Sequence, residues 1–180
     1  ASDLITAAAY STNKVKPFFR GGRPQVVNEF LSKTKLGQSE EGSYIVSILT
    51  PIPPKPLNIE EGVAKPFSRR VTTKLNSSLV AINNSAIQYV ANGDLQVFKD
   101  SIGQGISANL CDAISDLIGD EELDIEANFS WSHSWGNEDV PSLVRIPSDS
   151  IGILREVSTY LKEVAPLDNF PFEGSVVKLE

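Results

Sequence analysis

The residue types best suited to chemistry are concentrated in Trp131-Ser-His133-Ser-Trp135, where the single histidine of the chain stands between two tryptophans. An imidazole changes charge near neutral pH and can serve as a general base or a ligand, and flanking indoles would supply the apolar wall of a pocket. Glu138 and Asp139 follow closely enough to assist it. Strand parity competes with that role. In an extended segment His133 points the same way as Phe129 and Trp131, toward the core or its rim, where a hydrogen-bonded structural histidine is expected.

The remaining candidates are weaker on chemical grounds. A zinc site needs several Cys or His ligands, and the chain has one of each, so neither a metal nor a cofactor is assigned. Cys111 lies beside Leu110 in an apolar helical stretch with no nearby histidine to generate a thiolate, which predicts a buried, inert thiol. Serines are plentiful, but no Gly-x-Ser-x-Gly elbow positions one as a nucleophile. Asp116, Asp120, Glu121, Glu122 and Asp124 lack the alternating spacing of a calcium loop and read as a solvated turn. Gly103-Gln-Gly105-Ile-Ser-Ala108 matches Gly-x-Gly-x-x-Ala at the start of a helix, but a helical stretch precedes it where a phosphate-binding unit has a strand. Pro51 to Pro56 holds two overlapping Pro-x-x-Pro spacings beside Lys55 and reads as a stiff loop, with docking to an aromatic groove as the alternative.

Cationic residues carry the preferred binding hypothesis. Arg20 and Arg23 flank two glycines beside Phe18 and Phe19, and Arg69, Arg70 and Lys74 occupy the first two turns of a long helix. Together they could hold phosphates or an acidic protein surface. Arginines at a helix start oppose its dipole, so pairing with Glu60 and Glu61 is the structural alternative. Residues 1–75 hold 11 basic against 6 acidic side chains, a net +5, whereas residues 76–180 hold 5 against 17, a net −12, giving −7 for the chain. Such asymmetry is a legitimate signal for partners, though the overall acidity weighs against nucleic acid.

The elements that must position these groups follow from periodicity. At 180 residues, with 41% hydrophobic and 22% charged residues, the chain suits one soluble globular unit with a sizeable core and no need of a disulfide. No apolar run reaches the roughly 20 residues of a membrane span, and the lone cysteine points to the cytoplasm. Asp3 to Tyr10 and the stretch from Pro24 to Gly37 are read as short helices of an N-terminal helical extension, residues 1–43. Tyr44 to Thr50 is apolar on both sides and predicts a central, doubly covered strand, ended by Pro51.

From Ser68 the positions Val71, Leu75, Leu79, Ile82, Ala86 and Tyr89 step by three or four and predict one long amphipathic helix. Asn92-Gly93 either ends it before a second helix or makes a hairpin of Ile87–Phe98; the helical reading is preferred. Ile106 to Leu117 predicts a further helix stopped by Gly119, and Ser148 to Val164 another. From Leu123 to Trp135 apolar or aromatic residues and His133 alternate with Asp, Glu, Asn and Ser, which predicts one thirteen-residue half-buried strand. Ser142 to Ile146 would return beside it as a hairpin, and Ser175 to Leu179 would close the sheet.

This order predicts an α+β domain over residues 44–180, with an antiparallel or mixed sheet and helices mainly on one face, of the ferredoxin-like kind (strand-helix-strand-strand-helix-strand). The absence of methionine and a terminal strand with no turn after it suggest a fragment of a larger protein; a cleaved initiator and a native last strand are the alternative. Function is read as a non-catalytic interaction module that meets a protein partner, with self-association and nucleic acid as further options and no membrane. The contact would use Arg20, Arg23, Arg69, Arg70 and Lys74. The competing reading is an enzyme or small-ligand binder with a pocket at Trp131, His133 and Trp135.

Overall fold

Val71, Leu75, Leu79, Ile82 and Ala86 recur at helical spacing and are all buried, which makes α3 (Phe67–Asn92) the central element of the molecule. The computed structural model describes residues 1–13, 23–37, 45–55, 64–119, 123–135 and 141–164. Gly93 ends α3 in the left-handed region, at φ 70°, with its N–H on the Tyr89 carbonyl at 2.7 Å. Asn92-Gly93 is therefore a helix stop rather than a hairpin turn. The Asp94 carboxylate then accepts the Gln96 N–H at 2.8 Å and starts α4 (Gln96–Asp100), whose Phe98 is buried.

The other helices pack around α3. In α1 (Ser2–Asn13) Leu4, Ile5, Ala8 and Ala9 are buried, and this helix lies against α3 and α5, so its apolar face belongs to the common core. In α2 (Gln25–Lys33) Val27 and Phe30 turn inward, and Phe30 meets Phe67 edge-on at 5.7 Å. The Ser107 hydroxyl accepts the Leu110 N–H and caps α5 (Ala108–Ile118), which buries Leu110, Ile114 and Ile118. A 3-10 turn at Ser148–Ser150 leads into α6 (Ile151–Val164), packed on α5 through Leu154, Val157 and Leu161. Asp112 joins α5 to α6 by accepting from the Ser158 hydroxyl at 2.6 Å and the Lys162 ammonium at 2.9 Å.

Two small antiparallel hairpins complete a mixed helical and sheet fold that is mostly helical. Strand β1 (Lys35–Leu36) pairs with β2 (Ile48–Leu49), and β3 (Ile125–Asn128) pairs with β4 (Leu143–Ile146). Among the described residues the four strands form two separate sheets rather than the single sheet expected, and 175–179, read as the closing strand, lies outside those residues.

Two strand expectations need correction. Among the described residues Ile48 and Leu49 are a short edge strand with one neighbour, and Leu49 is 60% exposed, so this pair is neither central nor doubly covered there. Its partner among the described residues is two residues long, and Pro51 follows closely without an N–H to extend the ladder. The thirteen-residue strand is also shorter than its pattern. Exposure alternates as expected from Ile125 to Ser130, but His133–Trp135 form a 3-10 turn. The Ser132 hydroxyl accepts the Ser134 N–H at 3.4 Å, a local bond that competes with strand pairing.

Candidate functional site

An open, largely apolar groove of about 970 Å³ lies between the two hairpins. Its floor is built by α3 through Thr72, Leu75 and Leu79, joined by Leu4 and Ile5 of α1 and by Leu117 and Ile118 at the end of α5. Val46 to Thr50 form one wall, and Leu123 to Ser132 the other. The helical period of α3 explains the floor, since positions 72, 75 and 79 fall on one face.

The register shows which strand atoms face the groove. Phe129 donates its N–H to the Ser142 carbonyl at 2.7 Å and continues the register in which Ile125 faces Ile146 and Ala127 faces Val144. In an antiparallel pair hydrogen-bonded positions alternate, so the odd residues spend their backbone groups on β4. The N–H and C=O of Glu126, Asn128 and Ser130 consequently point to the opposite edge, which has no strand neighbour among the described residues. The same logic applies to the other hairpin. Gly37 donates to Ser47 at 2.7 Å, in register with the Lys35–Leu49 pair, which turns the backbone groups of Val46, Ile48 and Thr50 to the other edge of β2, unpaired among the described strands. All six of these residues line the groove.

Trp131 closes one end of the groove. It stacks on Phe129 with centroids 5.7 Å apart and planes 17° from parallel. The Arg69 guanidinium lies over its ring at 4.2 Å, and Arg69 is 0% exposed. Trp135 instead donates its Nε1–H to the Pro53 carbonyl at 2.8 Å and ties the proline loop to this corner. His133 is exposed, because the chain has left the strand before reaching it and parity no longer governs its direction. Glu138 and Asp139 lie outside the described residues.

The cationic candidates are placed differently from one another. Arg69 is covered by Trp131 and presents no surface to a partner. Arg70 is exposed over the Phe67 ring at 5.5 Å, and Arg23 is exposed with its Nε–H on the Tyr10 hydroxyl at 3.4 Å. Lys74 donates to the Gly103 carbonyl at 3.0 Å. Arg20, Glu60 and Glu61 lie outside the described residues. The Gly103–Gly105 turn aims carbonyls at α3, with Gln104 accepting from Ser78 at 3.3 Å, which is the wrong polarity for a pyrophosphate.

Among the described residues the ionisable side chains lining the groove are Asp124 and Glu126, and no group of three or more His, Cys, Asp or Glu could hold a metal. Asp124 accepts from the Arg145 guanidinium and, at 2.8 Å, from the Ser148 N–H, and these bonds hold its carboxyl below the ordinary aspartate range. It thus joins β3, β4 and the start of the turn before α6, whereas the sequence placed it in a solvated acidic turn. Asp120, Glu121 and Glu122 of that turn lie outside the described residues. Burial pushes the Cys111 thiol up to about 12, which leaves it protonated and inert at neutral pH.

The chain matches no family model, no curated protein and no solved structure. The site therefore rests on its own geometry. The groove edges were missed in the sequence because no type of side chain marks them; they are defined by backbone parity, and only the alternation from Ile125 to Ser130 hinted at one of them. No helix among the described residues is long and apolar enough to cross a membrane.

Proposed function

We propose that this chain is a non-catalytic interaction module that binds a segment of a protein partner in the groove between its two hairpins. The observation that carries the reading is that groove: an open, apolar-floored trough whose walls are strand edges with no second strand neighbour among the described residues. Extended peptides are recognised through such edges, with main-chain bonds supplying affinity and side-chain pockets supplying selectivity. The contact so conceived differs from one centred on the basic residues, since Arg69 is enclosed; Arg23, Arg70 and Lys74 act at most as an outlying positive surface.

A second reading keeps the same groove for a small apolar molecule beside Trp131, because its volume lies within the range of ligand sites, roughly 300–1,000 Å³. His133 would then sit at the exposed rim.

Selection of a displayed random 12-residue peptide library on the immobilised chain tests the proposal. Enriched peptides are expected to bind the full chain and to lose at least tenfold in affinity for Leu49→Glu and for Thr72→Trp, which alter a wall and the floor. No enrichment, or peptides indifferent to both substitutions, would overturn it. Binding of apolar fluorescent dyes that both substitutions abolish, without peptide enrichment, would favour the small-molecule reading.

A further inference from the structure

The junction of Asn92 and Gly93 ends α3, and it is the one place in the chain where glycine follows asparagine. We infer that Asn92 is a covalent modification site: its side-chain amide closes on the Gly93 nitrogen and is hydrolysed to aspartate or isoaspartate when the last turn of α3 opens, and the closed turn holds this reaction back. In the closed turn the Gly93 N–H donates to the Tyr89 carbonyl at 2.7 Å, while Asn92 Oδ1 accepts the Asp94 N–H at 3.0 Å. One bond engages the attacking nitrogen and the other fixes the amide it would attack. Both residues are exposed, so water reaches them. Once the turn opens, Gly93 has no Cβ to hinder the approach and a wide choice of backbone angles in which to make it.

The last turn is the weakly held part of α3. Its buried positions end at Ala86, and beyond them Ile87 is 62% and Val90 75% exposed. Tyr89 is the half-buried anchor, tilted against Phe98 at 6.4 Å and donating its hydroxyl to Glu156 of α6 at 3.0 Å. A turn with so little buried apolar surface opens far more often than the chain unfolds. On opening, the Gly93 nitrogen loses its proton to solvent base and bonds to Asn92 Cγ. The Cγ–Nδ2 bond breaks, the amide nitrogen regains a proton, and ammonia leaves behind a cyclic imide. Water then adds to one of the two imide carbonyls, giving aspartate if the bond to Cγ breaks and isoaspartate if the bond to the main-chain carbonyl breaks. The net change is one water consumed and one ammonia released, with no oxidation or reduction. Either product sets a carboxylate at the C-terminus of α3 beside Asp94, against the helix dipole. Isoaspartate also adds a carbon to the main chain, which displaces the Gly93 N–H from the cap. The change therefore runs one way and releases the corner where α3 meets α4.

The test incubates the full chain in mildly alkaline buffer, with and without urea, and follows aspartate and isoaspartate at each asparagine by peptide mapping and mass spectrometry. Asn92 is expected to be the fastest asparagine to react in urea, and to react at least about tenfold more slowly in the folded chain. Tyr89→Phe and Glu156→Ala each remove the bond that anchors the turn, one from either helix. Both should raise the rate at Asn92 several-fold in the folded chain and leave the rate in urea unchanged. No preference for Asn92 in urea would overturn the site. Equal rates with and without urea would show that the closed turn withholds nothing. Folded variants with the rate of the parent chain would overturn the opening of the last turn as the controlling step.

Discussion

The guanidinium of Arg69 lies 4.2 Å from the centre of the Trp131 ring, so two residues that the sequence placed in competing sites form one buried contact. It fastens the first turn of α3 to the end of the β3 segment and fixes the closed end of the groove. A cation over an indole is worth about 2 kcal/mol or more when desolvated. Arg69→Ala and Trp131→Ala should each destabilise the chain, and a double-mutant cycle in urea should show a coupling of about 1–2 kcal/mol. Arg69→Lys should not restore it, because an ammonium lacks the flat face that stacks on the ring. A coupling under about 0.3 kcal/mol would show that the two are merely adjacent.

Gly105 and Gly103 should respond in opposite ways to alanine. Gly105 has φ 112°, and a Cβ there would meet Ser78 Oγ and lie 2.7 Å from Lys74 Cε. At Gly103 a Cβ meets nothing within 4 Å. Gly105→Ala is expected to cost about 1–3 kcal/mol in thermal or urea unfolding, and Gly103→Ala less than about 0.5 kcal/mol. Equal costs would contradict the close approach of this turn to α3.

Acid should weaken the fold through two carboxylates. Bonds from Arg145 and Ser148 depress the carboxyl of Asp124; at Asp112 burial pushes the carboxyl up, but the bonds from Ser158 and Lys162 outweigh it and leave a net lowering. A carboxylate depressed in the folded state contributes stability above its unfolded value, near 4, and that contribution disappears as pH falls through the lowered folded value. Asp124→Asn and Asp112→Asn should each flatten the fall in stability below about pH 4. An unchanged acid limb in either variant would remove that residue from the account.

The Cys111 thiol is buried and shifted to about 12, so it should resist an aromatic disulfide reagent in the native chain and react at once in denaturant. Fast stoichiometric labelling under native conditions would place α5 differently.

The helices were legible because their signals are local and redundant. Val71 to Tyr89 keep helical period across five turns, and Gly93 and Gly119 sit where stops are needed, although Ser107, read as part of the helix, proves to be its cap. Strand extent was less legible. The alternation from Leu123 to Trp135 reports what an extended chain would do, but the length of a strand is set by its partner, and β4 offers four paired residues before the backbone turns at Ser132 and Ser134. Tyr44 to Thr50 misled for the same reason, because apolar β-branched residues suit an exposed hairpin wall as well as a sheet centre. Of the candidate sites, Trp131 was legible as an aromatic corner, while the burial of Arg69 depends on a contact 62 residues away in sequence, which no local pattern encodes.

The central claim is that the outer edges of the two hairpins, unpaired among the described strands, line one open groove, and amide hydrogen exchange along β3 tests it most directly. In the free chain the amides of Ala127 and Phe129, bonded to β4, should be protected, while those of Glu126, Asn128 and Ser130 exchange close to the rate of an unstructured peptide; a selected peptide should then protect these three. Protection of all five amides in the free monomeric chain would mean that the edge is already covered, and would contradict the account.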